Sequence, residues 1–256
     1  MRTRSPWPSL LALMPVIALA DPSAEPAPPT GVWTGKGQLG LLASQGNTQA
    51  KSFNAAIDMA LLEAPWTHAF HLGGLYGENA SVTSAERWDA LWQTNYDLTT
   101  NLYSFGALRY AHDLFSGFRY QASGTLGAGY KLFDTKDVHL SAQLGVGYRE
   151  ERPQELVKDA AGAVISRTLQ PSNGEAIVSA GLDYSQTLSS TTTLSDKLLV
   201  ESGSDNTLIS NALALTVKMS DRLALSLGYT LQDNTKPPPG LKNLDTTETV
   251  NLVFAF

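Results

Sequence analysis

RYQASGTLGAGYKLF, residues 119–133, decides the fold. Tyr120, Ala122, Gly124, Leu126, Ala128, Tyr130 and Leu132 fall on one parity, and Arg119, Gln121, Ser123, Thr125 and Lys131 on the other. A period of two is a strand with one apolar and one polar face, whereas a helix would repeat its apolar residues every three or four. The next segment repeats the pattern, with Val138, Leu140, Ala142, Leu144, Val146 and Tyr148 set against His139, Ser141, Gln143 and Arg149. Leu223, Leu225, Leu227, Tyr229 and Leu231 do so again.

Working outward from there, such runs number about twelve: 33–44, 48–62, 67–77, 86–98, 101–112, 119–133, 138–150, 174–188, 193–202, 207–219, 222–232 and 245–256. Proline lacks the N–H that a ladder needs, and beyond residue 30 every proline lies between these runs, at 65, 153, 171, 237, 238 and 239. The expected fold is therefore all-β, an antiparallel transmembrane β-barrel of about twelve strands. Strand lengths suit a tilted bilayer crossing of about 9–11 residues. Tyr120 and Tyr130, at ~3.3 Å per residue and a tilt near 40°, stand about 25 Å apart along the membrane normal, the height of an apolar band. A soluble β-sandwich would have to explain separately the N-terminus and the connections described next.

The N-terminus has the three parts of a secretory signal: Arg2 and Arg4, an apolar stretch from Leu10 to Leu19, and the small-x-small triplet ending at Ala20. Residues 1–20 are expected to be a signal peptide cleaved after Ala20, 21–32 a Pro-rich periplasmic leader, and 33–256 the outer-membrane barrel. Loss of Arg2 and Arg4 makes a chain of net charge −6 more acidic still, which gives no sign of nucleic-acid binding. There is no cysteine, hence no disulfide framework and no thiolate metal site. Beyond the signal no apolar run reaches the ~20 residues of a membrane helix, so a membrane crossing must use a closed barrel. Connections at one end are tight, at 63–66, 99–100, 134–137, 189–192 and 220–221. At the other end, 78–85, 113–118, 152–173 and 233–244 are longer, although Gln45 to Asn47 and Gly203 to Asn206 are short. The tight set and both termini are accordingly assigned to the periplasm.

With the segments placed, the chain resembles the YdiY-like family of salt-induced outer-membrane proteins, a domain of unknown function. The resemblance spans 33–256 and is carried by Trp33, Gly35, Gly40, the Ser44–Thr48 hairpin, Arg109 with Asp113, and Phe115-Ser116-Gly117. Further matches are Gly127–Tyr130, Gly145–Arg149, Gly203–Asn206 and the close from Asp245 to Phe256. It implies an outer-membrane barrel and a link to salt or envelope stress, and supplies no activity. Val250, Leu252, Phe254 and Phe256 resemble the insertion signal that such barrels present to their assembly machinery. That machinery and the outer-membrane lipids are the expected partners.

Catalytic chemistry is weakly represented. The four histidines have no metal-ligand spacing, and no cofactor motif is present. His139 and Ser141 share a strand face, the arrangement a base and nucleophile need, and keep a membrane-embedded, phospholipase-like hydrolase as the alternative. Lumen parity and a place beside a periplasmic turn argue against it. The preferred reading is a non-enzymatic barrel, structural or a narrow pore for ions or small solutes. Arg109, Arg119 and Arg149 share lumen parity near the outer ends of consecutive strands, with Asp113 nearby. They form a candidate charge cluster that either favours anions or, if paired, plugs the mouth.

Overall fold

The computed structural model describes residues 31–256 except 45–49, 81 and 160–163; the expected signal peptide, its Ala20 cleavage site and most of the leader lie outside the described residues. The alternating segments form β1 (Val32–Ser44), β2 (Ala50–Glu63), β3 (Trp66–Asn79), β4 (Val82–Asp97), β5 (Leu102–Asp113), β6 (Phe118–Asp134) and β7 (Val138–Lys158). The chain continues through β8 (Val164–Leu169), β9 (Asn173–Thr187), β10 (Thr192–Ser202), β11 (Thr207–Lys218), β12 (Leu223–Asn234) and β13 (Leu244–Ala255). Consecutive strands pair antiparallel, β1 returns to pair with β13, and β9 pairs with β7 past β8. Together with the β6–β7 pairing this closes a ring of twelve strands. Closure gives every strand of the ring a partner on both sides, though the β1–β13 ladder is short, and a closed ring is the form in which a sheet can cross lipid.

The two faces settle what surrounds the ring. Leu126, Leu144 and Val146 are 70%, 67% and 66% exposed, while Gln121, Ser123 and Thr125 on the opposite parity are 3%, 7% and 7% exposed. Apolar residues outside and polar residues inside invert a soluble sandwich and define a transmembrane barrel. Aromatic side chains belt the outside near both ends. Trp88 stacks on Tyr110 at 4.9 Å and Tyr110 on Tyr120 at 5.8 Å toward one end, and Trp66 meets Tyr96 at 4.8 Å toward the other.

The tight connections, at the end that also holds Val32 and Phe256, owe their shape to hydroxyls. Thr99 accepts from the Leu102 N–H at 3.0 Å, Thr135 from Val138 at 3.0 Å, Ser189 from Thr192 at 3.1 Å and Ser220 from Leu223 at 3.1 Å. A serine or threonine that closes its own turn in this way holds the hairpin register without a long loop.

Three features differ from expectation. Residues 152–173 were expected to be a loop; instead β7 runs on to Lys158 and β8 folds back on its distal part, from Gln154–Leu169 to Lys158–Val164, outside the ring. Pro153 thus lies inside a strand, tolerated beside Phe118 where the β6–β7 register shifts between Phe118 and Tyr120. The expected loop 78–85 is mostly strand, because β3 and β4 continue to Asn79 and Val82 and leave a short tip with Ala80 at φ 49°. The contrast in length between the two ends is smaller than the sequence suggested.

Inside, the ring is filled on one side. Tyr103 and Phe105 of β5 are each 5% exposed and lie flat against β6 and β7. Gly127 and Gly129 make this possible: a Cβ at Gly129 would overlap the Tyr103 ring, and one at Gly127 would come within 2.7 Å of Phe105. The Gly-x-Gly pair is packing, with no cofactor role.

Candidate functional site: the lumen and its constriction

The ring order β6-β5-β4-β3-β2-β1-β13-β12-β11-β10-β9-β7 sets β5 opposite β12 and leaves β10 three strands round from β6, so that β5, β6, β10 and β12 border one part of the lumen. Inward side chains near the looped end meet there. Glu201 of β10, with its side chain 3% exposed, is the centre. Its carboxylate accepts from Arg109 Nη2 at 3.1 Å and from Ser123 Oγ at 2.7 Å, so a β10 side chain is tied to β5 and β6. Arg149 of β7, wholly buried, donates from Nη1 to the Glu201 carbonyl at 3.1 Å and from Nη2 to the Glu175 carboxylate and to the Asn206 carbonyl at 2.6 Å. Glu151 approaches Arg149 Nε at 3.8 Å.

Glu175 also accepts from the Asp205 N–H at 2.8 Å and the Ser204 hydroxyl at 3.3 Å, which draws the β10–β11 connection down onto the network. Gln121 of β6 donates across the barrel to Asn234 of β12 at 3.2 Å, and Asn206 donates to the same oxygen at 3.1 Å. Arg87 of β4 reaches Thr247 of β13 at 3.0 Å. The buried Arg149 and the half-buried Arg109 therefore face three buried glutamates, and most of these polar groups bond to one another, although both arginine Nε atoms lack a hydrogen-bond partner.

The lumen on either side of this network is divided. A cavity of about 300 Å³ is bordered by His71, Arg87, Asp89, Asp113 and Asp245, and another of about 270 Å³ by Gln93, Gln143, Asp183 and Lys197. Arg109, Ser210 and Ala212 line both. Each holds the volume of on the order of ten liquid waters, enough for a hydrated ion and at the bottom of the range for drug-sized ligands. The Arg109–Glu201 bridge lies at their common wall.

Among the expected cluster residues, Arg109 and Arg149 meet through Glu201. Asp113 pairs with neither: its Oδ1 accepts from the Phe115 and Ser116 N–H groups at 2.7 and 3.1 Å and shapes its own loop. Arg119 sits at the bulge between Phe118 and Tyr120 and makes no ion pair among the described residues. The glutamates that do the pairing, Glu151, Glu175 and Glu201, were not singled out by the sequence, although each has lumen parity beside a loop. Val250, Leu252, Phe254 and Phe256 all point outward, 45–60% exposed, and Phe256 exchanges both backbone hydrogen bonds with Gly35.

Elsewhere in the lumen His71 lies between two carboxylates, Nδ1 2.7 Å from Asp58 and Nε2 3.2 Å from Asp89. Both ring nitrogens are thereby occupied. His139 pairs with Asp134 at 2.7 Å beside a tight turn.

The fold and the lumen define a class, the transmembrane β-barrel with a braced polar interior. Within that class the chain belongs to the family described as protein of unknown function, DUF481, whose profile matches residues 37–256. No curated protein matches it. Similar solved structures include the translocator domain of the autotransporter NalP from Neisseria meningitidis, at 17% identity and a TM-score of 0.46, covering 88% of each chain. An outer-membrane channel from Pseudomonas putida F1 has 12% identity and a TM-score of 0.48, covering 93% of this chain and 100% of its own. The NanC porin has 12% identity and a TM-score of 0.45, covering 87% of this chain and 98% of its own.

Proposed function

We propose that the protein is a non-enzymatic barrel of the Gram-negative outer membrane that acts as a narrow channel for ions or small polar solutes, constricted by the Arg109–Glu201 bridge. The supporting observation is the pair of small polar cavities that meet at that bridge. A purely structural barrel has no need of chambers on both sides of a constriction. The tight turns and both termini are taken to face the periplasm, as short connections do in bacterial barrels. Outer-membrane lipids and, during biogenesis, the insertion machinery are its partners, the latter through the outward Val250–Phe256 parity. A role in salt or envelope stress rests only on the resemblance to the YdiY-like proteins.

Planar-bilayer recording of the refolded protein tests this reading. Wild type should give small conductance steps. Arg109→Ala should enlarge them and move the reversal potential in a salt gradient toward cation preference, because Glu151, Glu175 and Glu201 then outnumber Arg149 further. Silence in both proteins would leave a structural barrel. Larger steps with unchanged selectivity would place the selective charges elsewhere.

A further inference from the structure

The barrel wall is not uniformly zipped. Neighbouring strands pair along most of their length: β1 and β2 from Val32–Leu62 to Ser44–Ala50, β12 and β13 from Leu223–Phe254 to Asp233–Leu244. Between β1 and β13 the ladder runs only from Lys36–Ala255 to Leu39–Leu252, extended by the Gly35–Phe256 pair. At Gly40 the Asn54 and Asn251 side chains converge, joined by a 2.7 Å hydrogen bond, and a Cβ at that position would overlap both amide oxygens. Beyond Gly40 the two strands part. Continuing the register would set Leu41 opposite Val250 and Leu42 opposite Thr249, but neither pair forms.

Counted from Trp33, Leu41 stands about 20 Å up an apolar band about 25 Å tall, so the parting lies within the band near the looped end. Unpaired backbone at that depth is costly unless something covers it. A groove of about 610 Å³ begins at the parting. Ser52, Asn54, Glu248 and Thr249 border its upper part together with Leu41, Leu42 and Tyr229, while Leu227, Leu215 and Leu194 continue it down the outward surface toward the tight-turn end. Polar groups above and leucines below reproduce the order of head and tail in a lipid of that leaflet. Leu42, on lumen parity, is 62% exposed at the same place.

We propose that the parting of β1 and β13 above Gly40 is a lateral portal that seats the acyl chain of a lipid from the surrounding leaflet. The chain covers the unpaired strand edges and lies along the leucine groove; its head hydrogen-bonds with Asn54 and Thr249. The proposal rests on the reading that the barrel is embedded in a bilayer, and requires no conduction through the lumen.

The chain has no native cysteine, so single labelled cysteines report cleanly. Leu42→Cys and, as a second reporter, Thr249→Cys are labelled with bimane and reconstituted in phosphatidylcholine vesicles with plain or brominated acyl chains. Leu144→Cys on the outward face and Gln143→Cys in the lumen serve as references. Bromine should quench the labels at 42 and 249 as strongly as that at 144, while the label at 143 stays bright. Labels at 42 and 249 as bright as that at 143 would overturn the portal. An unquenched label at 144 would instead overturn the bilayer reading.

A disulfide test is independent of the label. Gln38→Cys with Val253→Cys lies in the formed ladder, and Leu42→Cys with Thr249→Cys has the same place in the hydrogen-bond alternation. In vesicles the first pair should oxidise readily and the second should remain reduced. Equal oxidation of both would mean that the strands zip shut in the membrane and leave no room for a chain.

Discussion

Glu201 is the residue whose loss should be felt most, because Arg109, Ser123 and Arg149 all converge on it. Glu201→Ala leaves Arg149 with Glu151 and Glu175 but takes from Arg109 its carboxylate partner, a loss of about 3–5 kcal/mol for a largely buried pair broken on one side. The temperature at which the folded band disappears from electrophoretic samples heated in steps should fall clearly, while Ser123→Ala, which removes one hydroxyl, should move it little. The facing of single residues is equally open to test. Leu126→Arg on the outward surface should cost about 2–4 kcal/mol and impair assembly. Ala212→Arg, which enters the cavities, should be tolerated. Thr125 would be a poor inward control, since its 7% exposure shows packing rather than open lumen. Which arginines point inward was legible from parity alone for Arg109 and Arg149. Their partners were not, because Glu201 is distant from both in sequence, and alternation does not reveal which strands face one another across a ring. Arg119 was misleading for a local reason: the β6 bulge interrupts the parity count on which its placement relied.

At the scale of elements, the twelve strands of the ring were legible in number and order, since a buried polar face and a lipid face impose opposite demands on successive side chains, while the looped ends of β4 and β7 run four and eight residues past their expected limits. Thr135, Ser189 and Ser220 close turns where the sequence shows only short polar connections. β8 escaped notice because it faces neither lipid nor lumen and so needs no alternation: Ile165, Arg167 and Leu169 share a parity without sharing a character. Its pairing is confined to β7 beyond Gln154, whereas β9 pairs with β7 from Val138 to Glu151. Replacing residues 157–166 by a short glycine-serine turn should therefore preserve barrel assembly and heat resistance. Gln154 must be retained, as its amide donates to the Asp113 carbonyl at 3.2 Å and anchors the β5–β6 loop. Loss of the folded band in the shortened protein would show that the hairpin supports closure of the ring.

At the scale of the whole molecule, charge is arranged in pairs at successive depths of the lumen: Asp97 with Lys131 at 3.1 Å, Asp183 with Lys197 at 3.3 Å, Asp58 with Lys36 at 3.7 Å, and the arginine–glutamate network above them. Most lumenal charges thus have a partner of opposite sign, with one glutamate in excess in the network. The ladder between the first and last strands has a further consequence, in time rather than space. A cylinder held by long seams and one short seam yields at the short one, so the first excursion from the native state should free β13 from β1 while the other strands stay paired. The amides of Gly37 and Leu39, which by the alternation that begins at Gly35 bond toward β13, should exchange with deuterium sooner than those of Lys36 and Gln38, which bond toward β2. The lifetime of the whole barrel is then set by a stitch of a few hydrogen bonds that ends on Phe256.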